Sequence, residues 1–253
     1  MNRAEARIDL ERIAANIKHL KHISGTEVMA VVKADAYGHG LVPVARAAIE
    51  AGATSLGVAL LEEALTLREA GITAPILLLS EQPAELADLI VGYQLTPTVT
   101  TTRGAAVLAA SASAADQTVK IHIKVDTGMH RVGVAPNEVV SLASFISSYE
   151  SLTIEGVYTH FAVADDPSHV ANAAQLSAFN SVLDGLSSRG INPPLVHAAN
   201  SAAALANEPS RFTMVRLGIA MYGLRPGPGV AELCAGLIPA MSIKARVSAV
   251  RWV

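Results

Sequence analysis

Apolar, β-rich runs recur along the chain, and amphipathic stretches separate many of them. The runs are EVMAVVK (27–33), TSLGVAL (54–60), APILLLS (74–80), LTPTVT (95–100), VKIHIKVD (119–126), TIEGVYTH (153–160), LVHAAN (195–200) and MVRLGIAMYG (214–223). Several are nearly continuous in apolar residues, the pattern of strands covered on both faces. Between them, VPVARAAIEAG (42–52) and LEEALTLREAG (61–71) carry apolar residues at three- and four-residue steps and close on glycine. That spacing predicts helices with glycine stops. The stretches at 135–150 and 171–190 read the same way, the second ending at Gly190. A further helix, DLERIAANIKHLKHIS, precedes the first run, with Asp9 placed to cap it.

Strand and helix alternating eight times in this length predict an α/β protein with a (β/α)8 barrel. A doubly wound open sheet is the competing architecture. The tail, MSIKARVSAVRWV, differs from the other runs. It alternates Ile243, Ala245, Val247 and Ala249 with Ser242, Lys244, Arg246 and Ser248, the pattern of a half-exposed strand. A lone strand of that kind needs partners. The expectation is therefore a barrel over 1–235 and, over 236–253, the start of a β-rich C-terminal domain that is mostly missing.

Composition narrows the function classes. The chain has 253 residues, 51% hydrophobic and 16% charged, with a net charge of -3. No basic stripe for nucleic acid is expected from that balance. Cys234 is the single cysteine, so no intrachain disulfide is expected. The first twenty residues mix charges with apolar positions, unlike a signal peptide, and no apolar run is long enough for a bilayer. A soluble cytoplasmic protein is the expectation. No metal-binding spacing, phosphate loop, dinucleotide fingerprint or Gly-x-Ser-x-Gly elbow occurs, and no metal is expected.

In a barrel, chemistry gathers where the strands end at their C-termini. Lys33 ends the first strand, Lys124 and Asp126 the fifth with Arg131 just beyond, and His160 the sixth. Asn200 ends the seventh, followed by Ser201, and Arg216, Gly218 and Ile219 lie in the last run. Each has a plainer reading. A lysine after a strand is usually solvated, although a desolvated amine is a good nucleophile. His160 can be a core histidine, Gly218 a packing glycine, and Asp35 a surface carboxylate or a helix cap. Arg216, between Val215 and Leu217, is harder to place passively, because a buried guanidinium needs acceptors or an anion.

The motifs AVVKADAYGHG, IKVDTGMHRVG, GVYTHFA, HAANSAAAL and VRLGIAMYGL, in that order, resemble those of the alanine racemase family. The resemblance covers nearly the whole chain. It implies a barrel that binds pyridoxal 5′-phosphate, followed by a β-rich domain, in a homodimer that makes D-alanine for peptidoglycan. Lys33 would form the Schiff base with the cofactor and act as one of two racemising bases. Tyr37, Ser201 and the backbone of Gly218 and Ile219 would hold the phosphate, and Asn200 would line the pocket. Arg216 would face the pyridine nitrogen, Arg131 the phenolic oxygen, and His160 would stand near Arg216. Lys124 matches a lysine carbamylated in many members. The second base would be a tyrosine of the partner's C-terminal domain, and Tyr222 belongs to a different motif. A chain ending at 253 would then lack that base and be slow or inactive alone. The alternatives are a non-catalytic cofactor-binding barrel, a decarboxylase of the same barrel type, and a racemase for another small amino acid such as serine.

Overall fold

The computed structural model describes residues 4–247 and 249–252. Eight parallel strands carry the fold: β2 (Glu27–Val31), β3 (Ser55–Val58), β4 (Ile76–Leu78), β5 (Thr96–Val99), β6 (Val119–Lys124), β7 (Leu152–Tyr158), β8 (Leu195–His197) and β9 (Met214–Leu217). They stand in the order β8-β7-β6-β5-β4-β3-β2-β9. The first barrel strand thus pairs with the last, Met29 opposite Arg216. The seam between β8 and β9 is joined by Thr213 N–H donating to Val196 O at 3.1 Å and Arg216 N–H donating to Ala199 O at 3.0 Å. The sheet closes on itself, so the barrel expectation holds over the open sheet. All eight expected strands are present but shorter, because each run also supplies the loop that follows it.

The helices follow from the periodicity. In α1 (Leu10–Ser24), Ile13, Ile17 and Leu20 form the buried stripe, and the Asp9 carboxylate accepts from Arg12 N–H at 3.1 Å. The helices α3 (Leu41–Glu50), α4 (Leu61–Glu69), α7 (Val139–Ile146) and α8 (Val170–Ser187) cover the stretches read as helical. Gly52, Gly71 and Gly190 beyond three of them have φ of 101°, 79° and 73°, the left-handed geometry that ends a helix. Three further helices, α5 (Ala87–Gly92), α6 (Thr102–Ala114) and α9 (Ser201–Ala206), lay outside the sequence reading.

The tail strand has a partner that the sequence pattern did not reveal. β10 (Met241–Ala245) pairs antiparallel with β1 (Ala4–Ile8), Ala4 opposite Ala245 and Ile8 opposite Met241. The alternation does not produce a buried face: Ile243 is 74% exposed and Val247 78%. Ser248 and Val253, part of the expected strand pattern, lie outside the described residues. Just before β10, the segment 236–240 runs along α1. Asn16, buried, donates to Met221 O at 3.1 Å and Ile238 O at 2.9 Å, and accepts from Ile238 N–H at 2.9 Å.

Asn16 therefore closes the loop after the last barrel strand. Asn16→Ala leaves the buried Met221 carbonyl unpaired, loses both bonds to Ile238 and is expected to lower the unfolding free energy by about 1–3 kcal/mol. A urea melt checks this, and an unchanged midpoint would refute the clamp.

Candidate active site

The C-terminal ends of the strands open onto a cavity of about 560 Å3. Lys33, Tyr37, Lys124, Arg131, His160, Asn200, Ser201, Arg216, Gly218 and Ile219 all line it, whereas Asp35 and Asp126 do not. Lys33 and Tyr37 arrive from β2 through α2 (Lys33–Gly38), a turn of unusual hand. Ala34, Asp35, Ala36 and Tyr37 have φ of 53°, 52°, 52° and 54°. Left-handed helical backbone costs an L-residue roughly 1–2 kcal/mol. Several hydrogen bonds offset that cost. Ala36 N–H donates to Val32 O at 2.8 Å, and Gly40 N–H to Asp35 O at 3.0 Å. The Asp35 carboxylate accepts from Leu41 N–H at 2.7 Å, so Asp35 binds the start of α3 as a capping residue does. Glu63 on α4 accepts from Ala34 N–H and, through its other oxygen, from Ala59 and Leu60 N–H.

The left-handed turn brings Tyr37 over the exit of β9. A Cβ at position 218 would stand 2.9 Å from the Tyr37 hydroxyl, so a side chain there would push the tyrosine away from that spot. Ser201 Oγ accepts from Gly218 N–H at 2.9 Å and Ala220 N–H at 3.3 Å, joining α9 to the same spot. Asn200 accepts from Ala202 and Ala203 N–H, both at 3.1 Å, and starts α9 at the rim.

Arg216 is 3% exposed. Its acceptors are Thr159 O at 2.6 Å, His197 O at 2.9 Å, Ala198 O at 3.0 Å, His197 Nδ1 at 2.9 Å and His160 Nδ1 at 3.1 Å. No carboxylate pairs with it among the described residues. Burial lowers its pKa to about 10, which leaves it charged at neutral pH. Burial, with Arg216 next in weight, pushes His160 down to about 2, so its imidazole is neutral.

Lys124 ends β6, donates to Leu79 O at 3.2 Å and lies 5.5 Å from the centre of the Tyr158 ring. The loop carrying Arg131 begins at Asp126, whose carboxylate accepts from Gly128, Met129 and His130 N–H at 3.0 Å each. It closes where Val134 N–H donates to Lys124 O and Asp126 N–H to Val134 O, both at 2.9 Å. Lys33, Lys124, Arg131 and Arg216 thus share a cavity in which Asp165 is the one carboxylate among the lining residues. Such a chamber suits an anionic occupant.

The sequence reading passed over Tyr158, His197 and His122. Tyr158 stacks on the His197 ring, 4.7 Å between centres and 6° between planes. Its hydroxyl lies 2.8 Å from Thr98 Oγ1 and donates to Leu79 O at 3.0 Å. The available signal was two-residue spacing: Tyr158 precedes His160, and His122 precedes Lys124, so each pair shares a strand face.

Residues 8–226 match the family model described as alanine racemase, N-terminal domain. The alanine racemase of Desulfovibrio desulfuricans is 40% identical over 250 residues, covering 98% of this chain and 67% of the relative. A structure of alanine racemase from Clostridium difficile 630 in complex with cycloserine superposes with a TM-score of 0.94 at 32% identity, covering 100% of this chain and 70% of that one. A structure from Bacillus anthracis with bound L-Ala-P gives 0.89 at 39%, covering 96% and 64%. The chain spans about two-thirds of the length of the curated relatives it matches.

Burial first, then Arg216, Arg131 and Lys33, lowers the pKa of Lys124 to about 8. Its neutral amine is therefore expected to appear with a midpoint near pH 8, measurable as pH-dependent trace acetylation followed by peptide mass mapping. A midpoint near the unperturbed 10.5 would refute the electrostatic account of the cavity.

Proposed function

This chain belongs to the alanine racemase family, and we propose that it is a pyridoxal 5′-phosphate enzyme that interconverts L- and D-alanine. One observation carries the reading: a strand-end lysine and a buried arginine with no carboxylate partner among the described residues line one cavity, where Gly218 leaves space beside the Tyr37 hydroxyl.

The residues fit the cofactor. The opening kept by Gly218, with the Tyr37 and Ser201 hydroxyls beside it, suits a phosphate, and we assign Tyr37, Ser201 and the backbone of Gly218 and Ile219 to it. Asn200 would line the pocket between phosphate and ring. Arg216 would face the ring nitrogen. A guanidinium donates and keeps its charge, so it would leave that nitrogen unprotonated and would moderate electron withdrawal. Arg131 would sit at the phenolic oxygen. The cofactor, when bound, supplies an electron sink for the charge left on Cα.

Lys33 would hold the aldehyde carbon through its amine and move a proton at Cα on one face. The opposite face needs its own base, which would be a tyrosine of a partner copy in a homodimer. His160 accepts from Arg216 through Nδ1, which leaves its proton on Nε2, available to orient a group at the cavity. Lys124 with a pKa of about 8 has a neutral fraction that can take up CO2. A carbamate there would put an anion beside Arg131. We place the protein in the cytoplasm, supplying D-alanine for peptidoglycan. Among the described residues, no helix is long and apolar enough to cross a membrane.

Borohydride reduction with pyridoxal 5′-phosphate is expected to label the peptide that holds Lys33, and Lys33→Ala is expected to abolish the label. Covalent trapping that survives in Lys33→Ala would overturn the assignment. Arg216→Glu lets the ring nitrogen be protonated and is expected to raise transamination relative to racemisation. An unchanged ratio, read by product analysis, would sink the role given to Arg216.

A further inference from the structure

One buried amide bonds both of the strand exits that supply His160 and Arg131. It belongs to Gln175, on α8, which is 2% exposed. Its partners settle its orientation. Gln175 Oε1 accepts from Ala162 N–H at 3.0 Å. Nε2 is then the donor, and it donates to His160 O at 3.1 Å and to Thr127 Oγ1 at 3.3 Å. Both amide protons and the amide oxygen are thus engaged. Among the described residues, His160 O and Ala162 N–H have no other hydrogen-bond partner. The side chain pairs with residues 160 and 162 as a neighbouring strand would, just beyond the end of β7.

The hydroxyls next to the amide have a fixed order. Thr159 Oγ1 donates to Val125 O at 2.9 Å, so it accepts from the Thr127 hydroxyl at 2.7 Å. Thr127 uses its only proton there, and its oxygen is left to accept from Gln175. Thr127 is at the root of the loop that carries Arg131. Gly128 follows it with φ of 134°, and a Cβ there would stand 3.4 Å from Gln175 Cγ. The loop root is seated on the glutamine stem as well as bonded to its amide.

His160 is therefore restrained at two points. Its ring accepts from Arg216, and its carbonyl accepts from Gln175. Arg216 restrains the imidazole, and Gln175 restrains the backbone that carries it. The first restraint does not replace the second, because a ring bond leaves the peptide groups between His160 and Ala162 without a partner.

We propose that Gln175 is a positioning residue for the cavity: its amide joins the segment that carries His160 to the root of the loop that carries Arg131, and so sets where both side chains stand. The consequence for cofactor binding rests on the function proposed above. The placement of His160 does not, because every bond concerned lies within the chain.

The test compares Gln175→Met, which fills the space and makes none of the three bonds, with Gln175→Glu. As a carboxylic acid, Glu accepts from Ala162 N–H and donates to His160 O. As a carboxylate it has no proton to donate and sets an oxygen against the His160 carbonyl. Burial raises a carboxyl pKa above its usual value of about 4.3, which brings the acid form within reach at about pH 5.5. In 1H–15N spectra of the cofactor-free, 15N-histidine-labelled chain, assigned with His160→Gln, the His160 signals are expected to shift in Gln175→Met. They are expected to shift in Gln175→Glu at about pH 8 and to return toward wild type at about pH 5.5. Affinity for pyridoxal 5′-phosphate, taken as a ratio to wild type at the same pH, is expected to fall at least about five-fold in Gln175→Met at both pH values, and in Gln175→Glu at the higher one alone. A glutamine that only stabilises the fold would lower the urea midpoint and leave the folded chain with wild-type His160 signals and affinity, and that result would overturn the proposal. So would a Glu variant that does not recover in acid. If Gln175→Met does not fold, the recovery of Gln175→Glu decides. If neither folds, Thr127→Val, which cuts the link to the Arg131 loop, is expected to lower affinity at least about two-fold, and an unchanged affinity would refute the coupling. If the wild-type chain takes up no cofactor, the function proposed above fails, and the His160 signals still decide the positioning.

Discussion

A guanidinium sealed inside a barrel without a carboxylate must be surrounded by acceptors, and Arg216 sets that requirement on two neighbouring strands at once. Its side chain draws in carbonyls from Thr159, His197 and Ala198, at or just beyond the ends of β7 and β8. Its own backbone N–H bonds Ala199 O across the seam where the sheet closes. Closing the barrel and holding the cation are therefore one act. Carbonyls and neutral imidazoles spread the charge without cancelling it, and the Tyr158 ring, 5.2 Å from the guanidinium carbon, adds a favourable face. An arginine so held presents a fixed positive charge to whatever enters from above.

That charge governs its neighbours. Lys124 and His160 both lose basicity mainly through burial, and Arg216 is the next cause in each case. The result is an amine that can be neutral near pH 8 and an imidazole that is neutral throughout the physiological range. A cavity with four cationic side chains and one carboxylate is strained in isolation, and an anionic occupant relieves it. A carboxylate touching Arg216 would offset that positive charge.

Much of this was legible in the sequence, for identifiable reasons. The eight strands announced themselves because burial on both faces leaves little room for polar residues. The helices with glycine stops were readable because their stripes are long, whereas α5 and α9, at six residues each, are too short for a period to show. The convergence of Lys33, Lys124, His160, Asn200 and Arg216 followed from their places at strand ends. The left-handed turn was not legible: Ala34, Asp35 and Ala36 carry no preference for positive φ strong enough to announce it. It is imposed by bonds from Glu63 and Leu41, distant in sequence from the turn or beyond its end. The pairing of β1 with β10 was invisible for a related reason, since the partners lie at opposite ends of the chain. The His122–His197 contact joins residues 75 apart and leaves a trace only in two-residue spacing.

The choice between a closed barrel and an open sheet is also what makes the site possible. Lys33 follows the first barrel strand and Gly218 follows the last. In an open sheet nothing requires the first and last strands to be neighbours. Here β2 and β9 pair side by side, so Met29 faces Arg216 and the turn after Val31 lands beside the turn after Leu217. Tyr222, just beyond, reaches back to donate to Val31 O at 3.0 Å and locks the two exits together. The left-handed turn then needs to carry Tyr37 only across one strand spacing to meet Gly218. Residues nearly two hundred positions apart become one cradle because the last strand returns to the first, and the amine of Lys33 stands at that junction.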